Sequence, residues 1–592
     1  MRYYKQKIHY GVRMIRLKYF AVLLAAFLAV SHAFASDEPE FKVEPIPLAR
    51  EVTSPFKGMA LDTAVWQFCA EVNAKPTGTG NPHAFLWIPP KTEKLRGVVI
   101  GQFNMCERPI LENPDFRAWL EKIGWGCVWI DTGFFGPHFD HKIPENVAAI
   151  NEVFNALARV TGMEGMKTMP FIGIGHSARA DFGYEMAAWC PERAVGAISY
   201  DGNTICVSHT YERYKHPFVT DEDLAKMTGI PLLHRDSEFN GGRHNRKTII
   251  LRKEFPGIPF TLLADPGAGH FGTPDETCDF LGSWVAEADR ARNPNGGLPL
   301  VQVNPETGWY VDFWRFSEPL KAKAAPVKEF KGFEGPHGTE ANWVFSEDEA
   351  RRMVEHITRQ DGKKFTLVGY EQNGEKLPDK KDHVGVHPSF RPEKDGISFK
   401  LKGVFLDKVP AGRMEGWTGQ AAESTIPHPD DAGRIVIKPI CGPVIRIDAA
   451  TMAVRFDRAG IYGKRKSEDL CMIVIYPGNS EYRRIEMASV MKIPAFLEQG
   501  MPQKISFPEI PDVKVGAKEV ALKAVSSVGL PVEYFVDYGP AYLKDGVLYL
   551  TEIPPCVKLP IEIKVTAWQY GTLNEPKVRS AEPVTRTFRI CK

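Results

Sequence analysis

Phe171-Ile-Gly-Ile-Gly175-His176-Ser177-Ala178-Arg179-Ala180 decides how this chain is read. The apolar, glycine-punctuated run 170–175 predicts a strand buried on both faces, and 178–189 predicts a helix. A serine between them sits at the C-terminal edge of a sheet, on a pinched turn, with its Oγ exposed. The helix N-terminus behind it offers a backbone N–H, that of Ala178, to a developing oxyanion. This is the strand–turn–helix context of the G-x-S-x-G nucleophile elbow. Arg179 stands where that pattern has glycine. Ser177 is the expected nucleophile; the competing reading is a serine that merely caps a helix.

On either side of the elbow, strands alternate with helices from about residue 84 to 292. Strands are predicted at 83–88, 96–102, 125–131, 194–200, 231–234 and 260–264. Asn113-Pro114 opens a helix as an N-cap followed by proline at the first helical position. Val147, Ile150, Val153, Phe154 and Leu157 mark another helix. Thr273-Pro-Asp-Glu276 reads as a capping box for a last one. The expected fold class is α/β, a doubly wound, mostly parallel sheet.

A serine nucleophile needs a base, an acid to orient that base, and oxyanion donors. His270 lies in Ala264-Asp-Pro-Gly-Ala-Gly-His270-Phe271-Gly272, a glycine-rich loop straight after the last strand, which reaches over the same sheet edge. Glu238, just past the strand 231–234, is the chosen acid; Asp201 and Asp236 are the alternatives. Phe103, after the strand 96–102, is expected to supply the second backbone donor. Arg179 is a candidate to hold a substrate carboxylate or a polar sugar group, or equally an internal salt bridge. Phe134 and Phe135, with Phe139, are candidates to wall an acyl or sugar pocket. His138, Asp140 and His141 fit no metal spacing, so no metal is expected, and no cofactor.

The strand–helix order, the elbow GHSAR and the Ser…acid…His order resemble the α/β-hydrolase family over residues 84–292. That resemblance implies a serine hydrolase of the esterase kind and does not name a substrate, because the fold hosts many activities. Ile505-Ser-Phe-Pro508, Gly529-Leu-Pro-Val532, Gly539-Pro540 and Lys564-Val-Thr-Ala-Trp568 resemble the Ig-like sandwiches appended to extracellular bacterial proteins. That likeness implies a spacer or attachment module.

Composition bounds the rest. The 592 residues are 43% hydrophobic and 25% charged, an ordinary globular balance. A net charge of +1 gives no electrostatic reason to expect a nucleic acid or an anionic membrane as partner. Arg2, Lys5, Lys7, Arg13, Arg16 and Lys18 precede the apolar run 21–30, and Ala33-Phe34-Ala35 follows it. That is the pattern of a secretory signal peptide over 1–35, cleaved after Ala35 and too short in its apolar part to span a bilayer. Secreted or periplasmic location follows. The ten cysteines form no CxxC pair; Cys127 and Cys190 read as core residues.

The expected division is a catalytic domain over 36–300, a Lys/Pro/Gly-rich linker over 301–340, a β-rich domain over 341–502, and a sandwich over 503–592. It predicts that a chain ending near 300 keeps activity. The function expected is a secreted hydrolase of carboxylic esters, on small molecules or polysaccharide, with the β domains offering surface attachment. A non-catalytic adhesion protein on the same scaffold, a serine peptidase and an acyltransferase are the alternatives.

Overall fold

A computed structural model describes residues 65–74, 82–131, 139–202, 219–240, 251–312, 324–330, 341–380, 384–456, 466–544 and 546–592. The expected signal peptide, Phe134, Phe135 and His138 lie outside them. All described residues belong to one compact unit, Pro45–Lys592.

Eight strands make the principal sheet: β1 (Phe68–Glu71), β2 (His83–Trp87), β3 (Gly97–Gln102), β4 (Trp125–Asp131), β5 (Phe171–His176), β6 (Ala194–Tyr200), β7 (Leu232–Ser237) and β8 (Phe260–Asp265). Their spatial order is β1-β2-β4-β3-β5-β6-β7-β8. β2 pairs antiparallel with β1 and β4; from β4 to β8 every pairing is parallel. The doubly wound sheet expected from the sequence is thus present, with the short edge strand β1 in addition. The parallel register places His176 beside Tyr200, Tyr200 beside Arg235, and Ser237 beside Asp265. Whatever follows β5, β6, β7 and β8 therefore emerges along one edge.

The strands are apolar on both sides because both faces are covered. Val98, Ile100, Val128 and Phe171 join one cluster with Phe154 and Phe182 from helices. Val99, Cys127, Ile172 and Leu263 join the other with Trp284. The helix Pro114–Ile123 begins as expected, with Asn113 accepting the N–H groups of Asp115 and Phe116. The helix Asp275–Arg292 does not use the expected capping box. Pro274 holds its N-cap position without a side-chain bond, and Thr273 instead offers its carbonyl to Lys438.

The described part of the stretch expected as a linker carries strands β9 (Trp309–Asp312) and β10 (Ala324–Pro326), which form a three-stranded sheet with β11 (Ala341–Val344). Thr261 of β8 donates to the Trp343 carbonyl. The second apolar cluster continues into Val311, Val344, Met353, Ile357, Ile440 and Ile473. The composition change near residue 300 therefore does not mark an end of the core. Further on, Val436–Cys441, Ser467–Tyr476 and Ile485–Pro494 form an antiparallel sheet. Residues beyond 503 build a four-stranded, a three-stranded and a two-stranded sheet; one cluster including Phe507, Leu548, Ile563, Val565 and Phe588 lies among them.

Candidate active site

β5 ends at His176, and Ser177 takes φ = 54°, a left-handed conformation rare for a residue with a side chain. Residues Ser177–Arg179 form a single 3-10 turn, and the α-helix proper starts at Phe182. A Cβ on Gly175 would come 1.9 Å from the Arg179 carbonyl oxygen, and one on Gly202 would come 2.2 Å from that of Ser177. The tight approach that the turn requires is met at these two glycines, which is why position 179 carries an arginine without obstructing it.

The turn is held from behind. Glu107 accepts the His176 N–H at 2.7 Å and the Met105 N–H at 3.0 Å. Burial lifts the Glu107 carboxyl to about 7 despite these bonds and the nearby Arg179 charge. Asn104 donates through Nδ2 to the His176 carbonyl at 2.6 Å.

His270 Nε2 lies 2.8 Å from Ser177 Oγ, so the two residues expected from the sequence as base and nucleophile are in hydrogen-bond contact. His270 Nδ1 faces Asp201 Oδ2 at 3.7 Å. Asp201 follows β6 directly, at φ = 52°, and is fully buried. It accepts Ser237 Oγ at 2.5 Å and Arg235 Nη1 at 2.7 Å. Arg235 also bonds Asp265 through Nε at 2.9 Å, and Asp265 pairs with Arg359 and faces His356 at 3.4 Å. Burial alone would raise the Asp265 carboxyl, but Arg235 and Arg359 outweigh it and hold it well below its usual range. Burial and then Arg359 pull His356 down to about 4, so it is neutral near pH 7.

Several expectations are corrected. Glu238 is not turned toward His270: its Oε2 accepts the Gly267 N–H at 2.7 Å and pairs with Arg483 at 2.5 Å. The alternative Asp236 is interior to β7, which runs to Ser237, and is buried there. The Phe103 N–H is already spent, donating to the Ile130 carbonyl at 2.7 Å in continuation of the β3–β4 ladder. The next amide, that of Asn104, has no hydrogen-bond partner among the described residues. Phe139 is a core residue packed edge-on to Phe182 and Trp189, not a pocket wall. His141 pairs with Asp223 at 3.3 Å.

Ala178 is exposed beside the serine. Arg179 is half-buried; burial lowers its pKa, and Glu107 opposes that shift. Cys127 and Cys190 are buried, as read from the sequence. A pocket lined by Trp66, Phe85, Phe103, Asn104, Trp129 and Phe535 reaches Asn104 but includes neither Ser177 nor His270. Asn104, Arg235 and the residues gripping the His270 loop escaped the sequence reading. Arg235 stands among His234, Asp236 and Ser237 at the polar end of β7, so it carried no distinctive local signal.

No family model matches the chain, and no curated protein does. Among solved structures it is similar to Est1E from Butyrivibrio proteoclasticus, at 14% identity over 38% of this chain and 95% of that one, with a TM-score of 0.26. A dienelactone hydrolase from Anabaena variabilis is similar at 14% identity over 39% and 98%, TM-score 0.26. The esterase domain of a Rhodothermus marinus protein is similar at 13% identity over 38% and 98%, TM-score 0.27.

Proposed function

We propose that this chain is a serine hydrolase of carboxylic esters, acting through Ser177, His270 and Asp201. The observation that carries the reading is the 2.8 Å contact between Ser177 Oγ and His270 Nε2 on a turn at φ = 54°. A left-handed serine costs about 1–3 kcal/mol and persists where the surroundings enforce it, as at reactive sites. A serine that only capped a helix, or a scaffold used for adhesion, has no need of that strain or of an imidazole on its Oγ.

In this reading His270 Nε2 accepts the Ser177 proton as Oγ attacks the ester carbonyl carbon. The Ala178 and Asn104 N–H groups receive the oxyanion. The buried Asp201, paired with Arg235, stabilises the imidazolium and holds its ring. His270 then gives its proton to the leaving alcohol oxygen. Water, deprotonated by the same nitrogen, then attacks the acyl carbon; the Oγ–acyl bond breaks as His270 returns the proton to Ser177 Oγ, and the carboxylic acid departs.

Small or carbohydrate-linked esters are the proposed substrates, with Arg179 near a polar or anionic substituent. Export by the leader 1–35 and attachment through an Ig-like module at 503–592 belong to the same proposal. No helix among the described residues is long and apolar enough to cross a membrane. Hydrolysis of p-nitrophenyl acetate and longer acyl esters by the full chain, lost in Ser177→Ala, tests the reading.

A further inference from the structure

The loop that carries His270, residues 266–272, is gripped from two directions. The hydrolase sheet supplies Arg235 to the Gly269 carbonyl at 3.3 Å, Tyr200 OH to the Gly272 carbonyl at 2.6 Å, and His176 Nε2 at 2.9 Å from the His270 carbonyl. The other grip comes from more than two hundred residues away in sequence. Arg484 donates to the Gly267 carbonyl at 2.7 Å. Glu486, on the strand Ile485–Pro494, accepts the Gly269 N–H at 2.5 Å. The two side chains pair with each other at 2.5 Å and are 8% and 1% exposed, so the carboxylate is dry and held from its far side.

A second observation points to the same carboxylate. A Cβ on Gly272 would come 2.0 Å from Glu486 Oε1, and one on Gly269 would come 3.2 Å from it. Neither glycine has a positive φ. A side chain at 272 would have to displace the Glu486 carboxylate, and one at 269 would press on it, so the constraint comes from that space and not from the backbone. The loop sequence and the distant acid fit each other.

We propose that Glu486 is a positioning residue for the base: by holding the Gly269 amide it fixes the backbone immediately before His270, so that Nε2 stays within reach of Ser177 Oγ. The inference rests on the serine-hydrolase reading above. It makes the strand 485–494 part of the catalytic apparatus. A buried charge-assisted hydrogen bond is a stiff restraint, and misplacement of a reacting group by about 1 Å costs roughly 10²-fold in rate.

The test is turnover per active site, with sites counted by fluorophosphonate labelling to completion in the full chain. Glu486→Ala should lower kcat per labelled site by about ten- to a hundred-fold and leave KM within a few-fold. Glu486→Gln keeps an acceptor oxygen and should recover most of the loss. Gly272→Ala, whose methyl group must displace the carboxylate, should slow turnover comparably, and combined with Glu486→Ala should add little. It also serves if Glu486→Ala does not fold.

Turnover per labelled site equal to wild type in Glu486→Ala, or in Gly272→Ala where only that variant folds, would overturn the inference. A smaller labelled fraction with unchanged turnover per site would mean that Glu486 only stabilises the fold. If the wild-type chain itself neither labels nor hydrolyses an ester, it is the serine-hydrolase reading that has failed.

Discussion

Replacing Asp201 by asparagine keeps the shape of the side chain and removes its charge. The lost charge lies 3.7 Å from His270 Nδ1 in a fully buried position. At an effective dielectric constant of about 20, a unit charge at that distance is worth about 4 kcal/mol to an imidazolium, or roughly three decades in kcat. Arg235 stays paired with Asp265 in the variant, so no buried guanidinium is left without a carboxylate, and the fold should survive. The assay is ester hydrolysis per labelled site, beside Glu238→Gln and Asp236→Asn. Glu238→Gln should cost less than about tenfold, because an amide oxygen can still accept the Gly267 N–H and the loss is of the order of one hydrogen bond. A near-normal Asp201→Asn beside a Glu238→Gln crippled by three decades would refute the assignment of the acid.

Three further outcomes follow from the same geometry. A chain ending near residue 300 should lose activity even on p-nitrophenyl acetate, because it lacks Arg359, Arg484 and Glu486 and bares the cluster around Trp284; a soluble, active fragment would show that the base loop needs no support from beyond that point. Gly175→Ala should unfold or inactivate the elbow, since its methyl group would stand 1.9 Å from the Arg179 carbonyl; fluorophosphonate labelling and circular dichroism separate the two. Burial sets the Glu107 carboxyl at about 7, above its usual 4.5, so its contribution to stability is fully present below about 4.5 and is lost as pH rises through 7. Melting temperatures between pH 5 and 8 should fall less steeply in Glu107→Gln than in wild type; equal slopes would contradict this.

What could be read from the sequence was local. A nucleophile elbow is built from neighbours, a buried strand and a glycine two residues before the serine, so Ser177 was legible. His270 was legible because a glycine-rich loop after the final strand can lie only at one edge of the sheet. The acid was not, because Asp201, Asp236 and Glu238 all stand near strand ends. Side-chain partners decide among them, and the partner of Glu238 is Arg483, 245 positions away. The Phe103 N–H is taken by the Ile130 carbonyl because the β3–β4 ladder runs one bond further than apolar patterning indicates. The 301–340 stretch read as a linker from its lysines and prolines. The strands described within it, Trp309–Asp312 and Ala324–Pro326, are only 4 and 3 residues long, too short for alternation to stand out.

The central claim is that Ser177 reacts covalently, with His270 as its base. Treating the full chain with a fluorophosphonate and mapping the adduct by peptide mass spectrometry tests this most directly. The account requires one equivalent of label on Ser177, and loss of both label and ester hydrolysis in Ser177→Ala. Label on another residue, or hydrolysis that survives the substitution, would contradict it.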